Sequence, residues 1–402
     1  MGIRTYQYVI VGAGLAGVSA IEGIRERDPS GTILLIGAEA HAPYDRPPLS
    51  KKLWTGKKTV KEIALHPAGW YTQQGVESAL GIRVLDLDAA RHTLLLDRDG
   101  RMIRYKKLLL STGGIPRTLS LPGSNLPGIF TYRTLDDYNA IRRLARPGTG
   151  AVILGSGFIG AEMAAALSLN GAAVTMMYPE SRLIPKVFPN SLGRAMQEMY
   201  MEKGIRILQG HLPAAFAGEG EDVVTTTDFG ETIHSRFVIA GIGINPASEL
   251  AVRGGLKLAN GVQVDEQMAS SDPDIFAAGD MANFIYPSLG ERMRLEHWDN
   301  AIQQGRHAGR CMAGAREPFE AMPYFFSDLF DFGFEAVGEV DARLDITADW
   351  TTENNTGVLY YLKDKKVRGV MLCNVWDKVD AARALIREQK TVAPEDLIGR
   401  IR

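Results

Sequence analysis

The sequence predicts an α/β protein in which one strand–glycine turn–helix–strand unit occurs twice, followed by a smaller α+β region. Two observations support this prediction. A Gly-x-Gly-x-x-Gly motif follows a short apolar run at residues 12–17 and again at residues 155–160, and a helical pattern and a second β-branched run follow each motif. Residues 334–375 alternate as β-strands do, lack this motif and precede a helix near 377–388. We therefore expect two Rossmann-like dinucleotide-binding domains and a C-terminal α+β domain.

The first unit spans residues 6–39 and has every part of a dinucleotide-binding fingerprint. Residues 8–11 have the apolar pattern of a buried strand, and residues 15–25 carry apolar side chains at helical spacing. In such a turn the first glycine permits the tight bend, the second lets a pyrophosphate approach the helix N-terminus, and the third lets the helix pack on the sheet. A carboxylate about 20 residues later accepts from ribose hydroxyls. The candidate residues are Gly12, Gly14, Leu15, Ala16, Gly17 and Glu39.

The second unit repeats this arrangement between residues 151 and 180. Ala151–Leu154 predicts a strand, and we expect a helix at Ala161–Leu169 and the next strand at Ala173–Tyr178. One glycine motif alone is compatible with an ordinary turn, but two with matching strands, helices and acids predict a protein that holds two dinucleotides. The candidate residues are Gly155, Gly157, Phe158, Ile159, Gly160 and Glu180.

Three further apolar runs end in glycine turns. Leu108–Leu110 leads into Ser-Thr-Gly-Gly, and Phe237–Ala240 leads into Gly-Ile-Gly at the parallel place in the second half. Ile275–Ala278 ends in Gly-Asp, a turn that can direct a carboxylate at ribityl or ribose hydroxyls. These turns add Thr112, Gly113, Gly241, Ile242, Gly243, Gly279 and Asp280 to the candidate binding residues.

Composition and charge give no support to several other classes of protein. The 402 residues are enough for two or three domains, and a 45% hydrophobic and 23% charged content is ordinary for a globular chain. A net charge of −2 gives no reason to expect nucleic acid or an acidic membrane surface as a partner. No apolar run reaches the length of a membrane span, and Cys311 and Cys373 have neither CxxC nor metal-ligand spacing. We expect no metal site, no disulfide framework and a cytoplasmic location.

Three longer motifs resemble a known family. Pro43-Tyr-Asp-Arg-Pro-Pro-Leu-Ser-Lys51, Glu296-His-Trp298 and Tyr324-Phe-Phe-Ser-Asp328, together with both glycine motifs, resemble the two-dinucleotide-binding flavoproteins of the glutathione-reductase-like fold. They are most similar to the branch with oxygenase-coupled ferredoxin, rubredoxin and putidaredoxin reductases, apoptosis-inducing factor and monodehydroascorbate reductase. The resemblance covers essentially the whole chain. It implies FAD on the first glycine motif, NAD(P)H on the second, and a C-terminal interface domain that shields the flavin.

The resemblance also implies domain boundaries. The FAD domain would be discontinuous, over residues 1–117 and 245–318. The NAD(P)H domain would cover residues 118–244, and the interface domain residues 319–402. This assignment leaves the third, fingerprint-free region as the interface domain.

Site roles can be carried over residue by residue. The FAD contacts that the resemblance implies are Arg46, Lys51, Arg133, Asp280, Glu296, His297 and Trp298. It also pairs Lys51 with Glu162, near flavin N5 and the nicotinamide. Phe326 stands where relatives often carry Trp or Tyr against the nicotinamide face, so the ring is kept and its polar group is lost. From spacing alone, Arg46 and Lys51 are equally compatible with solvated surface charge. Phe326 and Trp298 are compatible with ordinary core packing.

The acidic positions depart from the commoner family pattern. The family acid after the first strand pair aligns with Ala38, which leaves the neighbouring Glu39 as its substitute. In the second unit many relatives have the acid directly at the strand end, where this chain has Tyr178. The run Tyr178-Pro179-Glu180 instead resembles apoptosis-inducing factor and monodehydroascorbate reductase.

The expected cofactors are FAD and NADH, with NADPH left open. Glu180 favours NADH because its carboxylate would accept from the ribose 2′-hydroxyl and repel a 2′-phosphate. Arg182 and Lys186 lie close by in sequence and keep NADPH as an alternative.

The two cysteines decide the mechanism that the resemblance implies. Disulfide reductases need a redox-active pair beside the flavin, and peroxidase or coenzyme A-type relatives need one Cys near the position of Arg46; this chain has neither. Hydride is therefore expected to pass from the nicotinamide to flavin N5, with electrons leaving the flavin directly. The expected acceptor is a one-electron carrier such as a ferredoxin or rubredoxin, although no clear basic patch marks its docking face.

Two other functions stay open at this stage. One is an NADH-dependent redox sensor or scaffold with slow turnover, because apoptosis-inducing factor belongs to the same branch. The other is a reductase of small quinones or organic radicals. A second copy of the chain, giving a homodimer, is a further open partner.

Overall fold

The computed structural model of the chain describes residues 3–98 and 100–401. The strands are β1 Arg4–Val11, β2 Ile33–Gly37, β3 Val76–Leu80, β4 Val84–Asp88, β5 Thr93–Leu96, β6 Met102–Leu110, β7 Gly114–Pro116, β8 Ile129–Thr131, β9 Gly150–Leu154, β10 Ala173–Tyr178, β11 Arg206–Gln209, β12 Pro213–Glu219, β13 Asp222–Thr227, β14 Thr232–Ser235, β15 Phe237–Ala240, β16 Ile244–Pro246, β17 Val262–Gln263, β18 Ile275–Ala277, β19 Ala282–Tyr286, β20 Glu291–Met293, β21 Tyr324–Leu329, β22 Phe332–Gly338, β23 Asp345–Thr352, β24 Thr356–Lys363 and β25 Lys366–Cys373.

The α-helices are α1 Leu15–Arg25, α2 Ala68–Gln73, α3 Leu135–Leu144, α4 Phe158–Leu169, α5 Asn190–Glu202, α6 Glu249–Arg253, α7 Trp298–Met312 and α8 Val379–Glu388. Short 3₁₀ helices cover Pro47–Ser50, Val60–Ile63, Gly279–Met281 and Pro394–Leu397. No helix among these described residues is both long and apolar enough to cross a membrane.

Helix α1 has the bounds that its apolar spacing predicted. Helix α4 begins at Phe158, three residues before the predicted start at Ala161, because Gly157 acts as its N-cap. The glycine turn therefore leads directly into the helix in both units. This is the geometry in which free N–H groups at the helix start face a phosphate.

The chain forms two compact units. The first contains the described residues up to Asp45, together with Lys61–Ile115 and Asn245–Tyr324. Its main sheet has the parallel strand order β3-β2-β1-β6, β18 also pairs with β6 in parallel, and the antiparallel β4-β5 hairpin extends the sheet along β6. Every residue of β2 is buried, as expected for a central strand covered on both faces. The carboxyl ends of β1, β6 and β18 therefore lie side by side.

Helices α1 and α7 of the first unit pack so closely that their backbones meet. A Cβ atom at Gly305 would lie 2.2 Å from the carbonyl oxygen of Ala16, and one at Gly309 would lie 2.1 Å from that of Ala20. No side chain fits at either position, so these two glycines let α7 rest directly on α1. Helices α1 and α7 therefore form one closely packed pair.

The second unit contains Arg46–Val60, Pro116–Ile244 and the described residues from Phe325 on. Its parallel sheet has the order β11-β10-β9-β15-β8, and Val152 of β9 pairs with Thr175 of β10 and Val238 of β15. A separate antiparallel sheet, β12-β13-β14, packs on the same apolar core through Phe216 and Val223. The strand order around β9 repeats that around β1, so the duplicated fingerprint corresponds to a duplicated fold.

A five-stranded antiparallel sheet forms the last part of the second unit. Its order is β21-β22-β25-β24-β23, and α8 packs against β25 and β22. Strand β24 buries six of its eight residues, and β25 buries seven of eight. This helix-covered antiparallel sheet confirms the α+β class predicted for the C-terminal region.

Candidate functional site

The first glycine turn has room for a ligand at one glycine and none at the other two. Gly12 has a φ of +117°, and a Cβ there would lie 2.2 Å from the carbonyl oxygen of Ser111. A Cβ at Gly17 would lie 2.0 Å from the carbonyl oxygen of Gly12, whereas one at Gly14 would meet nothing within 4 Å. Gly14 is the N-cap of α1 and brings no side-chain cap, so N–H groups of the first helical turn lack a capping partner. This geometry fits the pyrophosphate of a dinucleotide.

Candidate residues just beyond β2 and β6 are held by specific hydrogen bonds. The hydroxyl of Tyr44 donates to Oε2 of Glu39 at 2.6 Å, which holds that carboxylate just beyond β2. Thr112 Oγ1 donates to the carbonyl of Ala247 at 2.9 Å, and the N–H of Ala247 donates to the carbonyl of Gly113. Thr112 and Gly113 are therefore fixed by a backbone pairing that the glycine pattern alone did not reveal.

The Gly279–Met281 turn brings Asp280 to the same end of the sheet. The N–H of Gly279 donates to Gln304 Oε1 at 3.0 Å, and a Cβ at Gly279 would lie 3.2 Å from the Cβ of Ala16. The Arg294 guanidinium donates to the carbonyl of Asp280 at 2.8 Å and pairs with Glu296 at 2.7 Å. Arg294, which no motif marked, thus links two candidate residues.

His297 and Trp298 lie at the start of α7 in the first unit. Trp298 Nε1 donates to Asp45 Oδ1 at 2.8 Å, so this ring has a specific polar partner rather than being a plain core aromatic. Burial lowers the pKa of His297 to about 4, and the nearby Asp280 carboxylate offsets part of that effect. The imidazole is therefore neutral at physiological pH and carries a single N–H donor.

The lowered pKa of His297 predicts a loss of stability at low pH. Its pKa falls from 6.5 in the unfolded chain to about 4 in the fold, so the unfolded chain takes up the proton first. The free energy of unfolding should therefore decrease as pH drops from 6.5 towards 4, by about 3 kcal/mol from this residue. Denaturant titrations measure this, and wild type and His297→Gln should differ by a constant amount above pH 7. Below pH 6.5 the variant should lose less stability, and parallel curves would contradict the assignment.

The second glycine turn has the same division of roles. Gly155 has a φ of +113°, and a Cβ there would lie 2.5 Å from the carbonyl oxygen of Gly241. A Cβ at Gly160 would lie 2.3 Å from the carbonyl oxygen of Gly155, whereas one at Gly157 would meet nothing within 4 Å. The Gly241–Gly243 turn at the end of β15, with Ile242 at its centre, lies against this turn. The second glycine turn therefore also fits a pyrophosphate. We call the two turns, around Gly14 and around Gly157, the first and second glycine cradles.

Glu180 is held at the second glycine turn, whereas Arg182 is held by its own loop. Ser156 Oγ donates to Oε2 of Glu180 at 2.9 Å, which holds the exposed carboxylate against the glycine turn. The Arg182 guanidinium donates to two carbonyls of its own loop, those of Pro185 at 3.1 Å and Phe188 at 3.4 Å. The acid thus faces the turn, whereas the nearest arginine is engaged elsewhere.

The first two helical residues after this turn differ in burial. Phe158 packs against Phe325 and Phe334, with ring centroids 5.7 and 6.0 Å apart. Ile159 is 40% exposed. Phe158 therefore packs the start of α4 against other aromatic rings, and Ile159 presents an apolar side chain to solvent at the same place.

Lys51, Glu162 and Phe326 come together in the second unit. Lys51 Nζ lies 3.2 Å from Glu162 Oε1, with both side chains nearly buried, and 4.4 Å from the centroid of the Phe326 ring. Sequence motifs did not predict two further members. Ser50 Oγ donates to Glu162 Oε2 at 2.5 Å, and Ser327 Oγ donates to Glu162 Oε1 at 2.6 Å. A buried ion pair is thus surrounded by hydroxyl donors.

The alternating pattern of β21 indicates that the Ser327 hydroxyl has a buried partner. Strand β21 alternates buried and less buried residues, and Ser327 occupies a buried position between Phe325 and Leu329. A hydroxyl at an inward position requires a hydrogen-bond partner. The sequence cannot name that partner, because Glu162 belongs to a distant helix.

Arg46 and Arg133 also meet in the second unit. The Arg46 guanidinium donates to the carbonyl of Arg133, whose own N–H donates to Asp137 Oδ2 at 2.9 Å. The Tyr132 hydroxyl donates to the carbonyl of Leu49, and Trp54 Nε1 donates to that hydroxyl at 3.0 Å. The segment carrying Arg46 and Lys51 is therefore fixed to the Tyr132–Arg133 backbone.

The two cysteines are free, buried and separated between the units. Burial raises the pKa of Cys311 to about 11 and raises that of Cys373 further. Both thiols are therefore protonated and poorly nucleophilic at neutral pH. Among the described residues, no cluster of three or more His, Cys, Asp or Glu side chains could hold a metal ion.

Two parallel sheets with glycine cradles of this kind define the class of α/β oxidoreductases that carry paired dinucleotide folds. The chain belongs to the pyridine nucleotide-disulphide oxidoreductase family, whose model matches residues 6–305. This confirms the family to which the sequence motifs pointed.

Individual relatives narrow the comparison. The chain is 34% identical to apoptosis-inducing factor 1, mitochondrial, of Dictyostelium discoideum, over 98% of this chain and 80% of the relative. It is 32% identical to the ferredoxin–NAD(+) reductase component of the anthranilate 1,2-dioxygenase system of Burkholderia cepacia, over 97% and 96%. The crystal structure of a covalent putidaredoxin reductase–putidaredoxin complex matches with a TM-score of 0.91 and 30% identity, over 98% and 95%. The similarity therefore covers 97–98% of this chain and 80–96% of these three proteins.

Proposed function

We propose that the chain is an FAD-dependent NADH oxidoreductase that delivers electrons to a one-electron carrier of the ferredoxin or rubredoxin type. The observation that carries this proposal is the combination of two glycine cradles with an ordered Lys51–Glu162 pair and no thiol pair. Disulfide exchange requires reactive thiols, and the chain's two buried cysteines lie one in each unit. Electron transfer without a thiol intermediate is the remaining route.

The roles of the two units follow from their cradles. We propose FAD on the turn of Gly12, Gly14 and Gly17, with Asp280 at the ribityl chain and Arg46 and Arg133 as further contacts. The fit of the open Gly14 position and the uncapped α1 supports this assignment. Bound FAD would supply a hydride acceptor that can release electrons singly. The predicted division into an FAD domain, an NAD(P)H domain and an interface domain belongs to the same proposal.

This chain's residues orient the reactants rather than react themselves. We propose that Lys51 and Glu162 order the nicotinamide pocket, with the Phe326 ring as its apolar wall. The ammonium lies over that ring face, where the ring quadrupole attracts a cation. His297 stays neutral, so it adds a hydrogen-bond donor without adding a positive charge.

NADH is the proposed reductant in preference to NADPH. The Glu180 carboxylate faces the second turn through Ser156, where it can accept from a ribose 2′-hydroxyl. A 2′-phosphate would meet like charge there. Of the two basic residues that would favour NADPH, Arg182 donates to its own loop carbonyls, and Lys186 is exposed.

Replacing Glu180 by alanine should shift the cofactor preference. We expect the ratio of kcat/KM for NADH to kcat/KM for NADPH to fall about 10- to 100-fold, because the variant loses both the acceptor and the repulsion. Glu202→Ala, which removes an exposed carboxylate at the end of α5, is the matched control and should leave the ratio unchanged. An unchanged ratio in Glu180→Ala would contradict the proposed role.

The acceptor is proposed from the relatives' printed names. One relative is the ferredoxin–NAD(+) reductase component of a dioxygenase system, and the structural match is a reductase bound to putidaredoxin. The test is anaerobic stopped-flow reduction of the flavin by NADH, followed by mixing with a ferredoxin, a rubredoxin, a quinone or an organic radical. Fast reoxidation by an iron–sulfur or rubredoxin carrier is the expected result. If only the quinone or the radical reoxidised the flavin fast, the proposed one-electron protein carrier would be wrong and a small molecule would be the acceptor.

A second candidate function is an NADH-dependent redox sensor with slow turnover. The 34% identity to an apoptosis-inducing factor favours it. In this case NADH would bleach the flavin, every acceptor would reoxidise it slowly, and the protein's size would change on reduction. Size-exclusion chromatography with and without NADH distinguishes this candidate from the reductase.

The cytoplasm is the proposed compartment. Two free cysteines with protonated thiols suit a reducing environment. Cell fractionation with an antibody to the protein tests this location.

A further inference from the structure

The carboxylate of Glu162 accepts from three side chains at once. Oε1 accepts from Lys51 Nζ and from Ser327 Oγ, and Oε2 accepts from Ser50 Oγ. The residue is only 7% exposed, and both serines are buried as well. A buried carboxylate requires hydrogen bonds in place of water, so the two hydroxyls supply donors that the lysine alone does not.

The two serines are direct sequence neighbours of Lys51 and Phe326. Ser50 precedes Lys51 at the end of the Pro47–Ser50 helix, and Ser327 follows Phe326 on β21. Each hydrogen bond therefore ties one segment to the same carboxylate. Because Lys51 lies 4.4 Å over the Phe326 ring, the carboxylate fixes the ammonium relative to the ring through both segments.

We propose that Ser50 and Ser327 are positioning residues, which hold both oxygens of Glu162 so that Lys51 keeps one place over Phe326. The inference rests on the proposed function, since it concerns how these residues receive the nicotinamide. Neither serine needs to contact a cofactor. Without its hydroxyl donors the carboxylate can rotate, and the lysine then samples several positions.

The test is a double-mutant cycle between Ser327→Ala and Glu162→Leu, which leaves no acceptor at this position, with Ser50→Ala in a second cycle. Two quantities are measured for each FAD-loaded variant: the rate of flavin reduction by NADH and the denaturant midpoint. Ser327→Ala should slow the limiting rate of reduction about tenfold and change the NADH dissociation constant less than about twofold, since the second cradle is intact. In the Glu162→Leu background the same change should cost less than about twofold in rate, because the acceptor of the Ser327 hydroxyl is already absent.

The control is Ser235→Ala, which removes another buried hydroxyl of the second unit, one that donates to the Val223 carbonyl at 3.4 Å. It should leave the reduction rate unchanged. Equal effects of Ser327→Ala with and without the Glu162 carboxylate, in rate and in midpoint, would overturn the inference, because a merely structural serine gives additive costs. A wild-type flavin that NADH leaves oxidised would instead overturn the proposed function, and the midpoints would still decide whether Ser327 and Glu162 are coupled.

Discussion

Gly17→Ala should yield a protein that holds no flavin and unfolds at a much lower denaturant concentration than wild type. A Cβ there would lie 2.0 Å from the carbonyl oxygen of Gly12, which is backbone and cannot rotate away. Helix α1 would have to move away from the glycine turn, and α7 packs directly on α1. We expect a loss of at least about 3 kcal/mol in the free energy of unfolding. Visible absorbance of the purified protein and denaturant titration measure the two effects.

Gly14→Ala is the matched control for the fold, because its added Cβ would meet nothing within 4 Å. Its φ of −95° is accessible to alanine, so the flavin-free variant should unfold at the same denaturant midpoint as flavin-free wild type. Its FAD dissociation constant should nevertheless rise about tenfold or more, since the methyl group would occupy the proposed pyrophosphate approach. A Gly17→Ala protein with full flavin content and wild-type stability would refute the close packing of this turn.

Glu162→Leu should slow NADH reduction of the flavin about 100-fold and destabilise the fold by about 3 kcal/mol. The variant leaves the Lys51 ammonium nearly buried without its carboxylate, and removing one partner of a buried pair costs more than the pair itself contributes. The rate effect is larger than that of either serine because the ammonium loses its anchor altogether. Stopped-flow absorbance and denaturant titration are the measurements.

The double variant Lys51→Met/Glu162→Leu separates the two effects. Two apolar side chains of similar volume remove the uncompensated charge, so the part of the lost stability that came from that charge should return, while the Ser50 and Ser327 hydroxyls still lack their acceptor. The reduction rate should stay low, because the charge over the Phe326 ring is absent. Recovery of the rate together with the stability would refute a role for the pair beyond folding.

The sequence allowed prediction of the elements that depend on local chemistry. The glycine turns could be located because Gly12 and Gly155 need positive φ angles between a buried strand and an amphipathic helix, and each of these requirements leaves a mark in a short window. The start of α4 was placed three residues late, because apolar spacing does not register a glycine N-cap. The partnership of Lys51 and Glu162 was expected only through family resemblance.

The contacts that the sequence did not predict join segments far apart in the chain. Ser327 meets Glu162, and Trp298 meets Asp45, through pairings that depend on strand order and on which helix lies above which strand. A polar residue at an inward strand position indicates that some partner exists, but not which one. Tertiary packing chooses the partner, and a single sequence carries no record of that choice.

The backbone contact between α1 and α7 has a consequence for biosynthesis. The first glycine turn, residues 12–17, is synthesised long before Gly305 and Gly309, which pack against α1. Until then Ala16 and Ala20 have no helix against them. Pairing of such distant segments is slow, and we expect nascent chains that end before Trp298 to be unable to retain flavin. Flavin binding is therefore expected to require prior synthesis of the α7 segment.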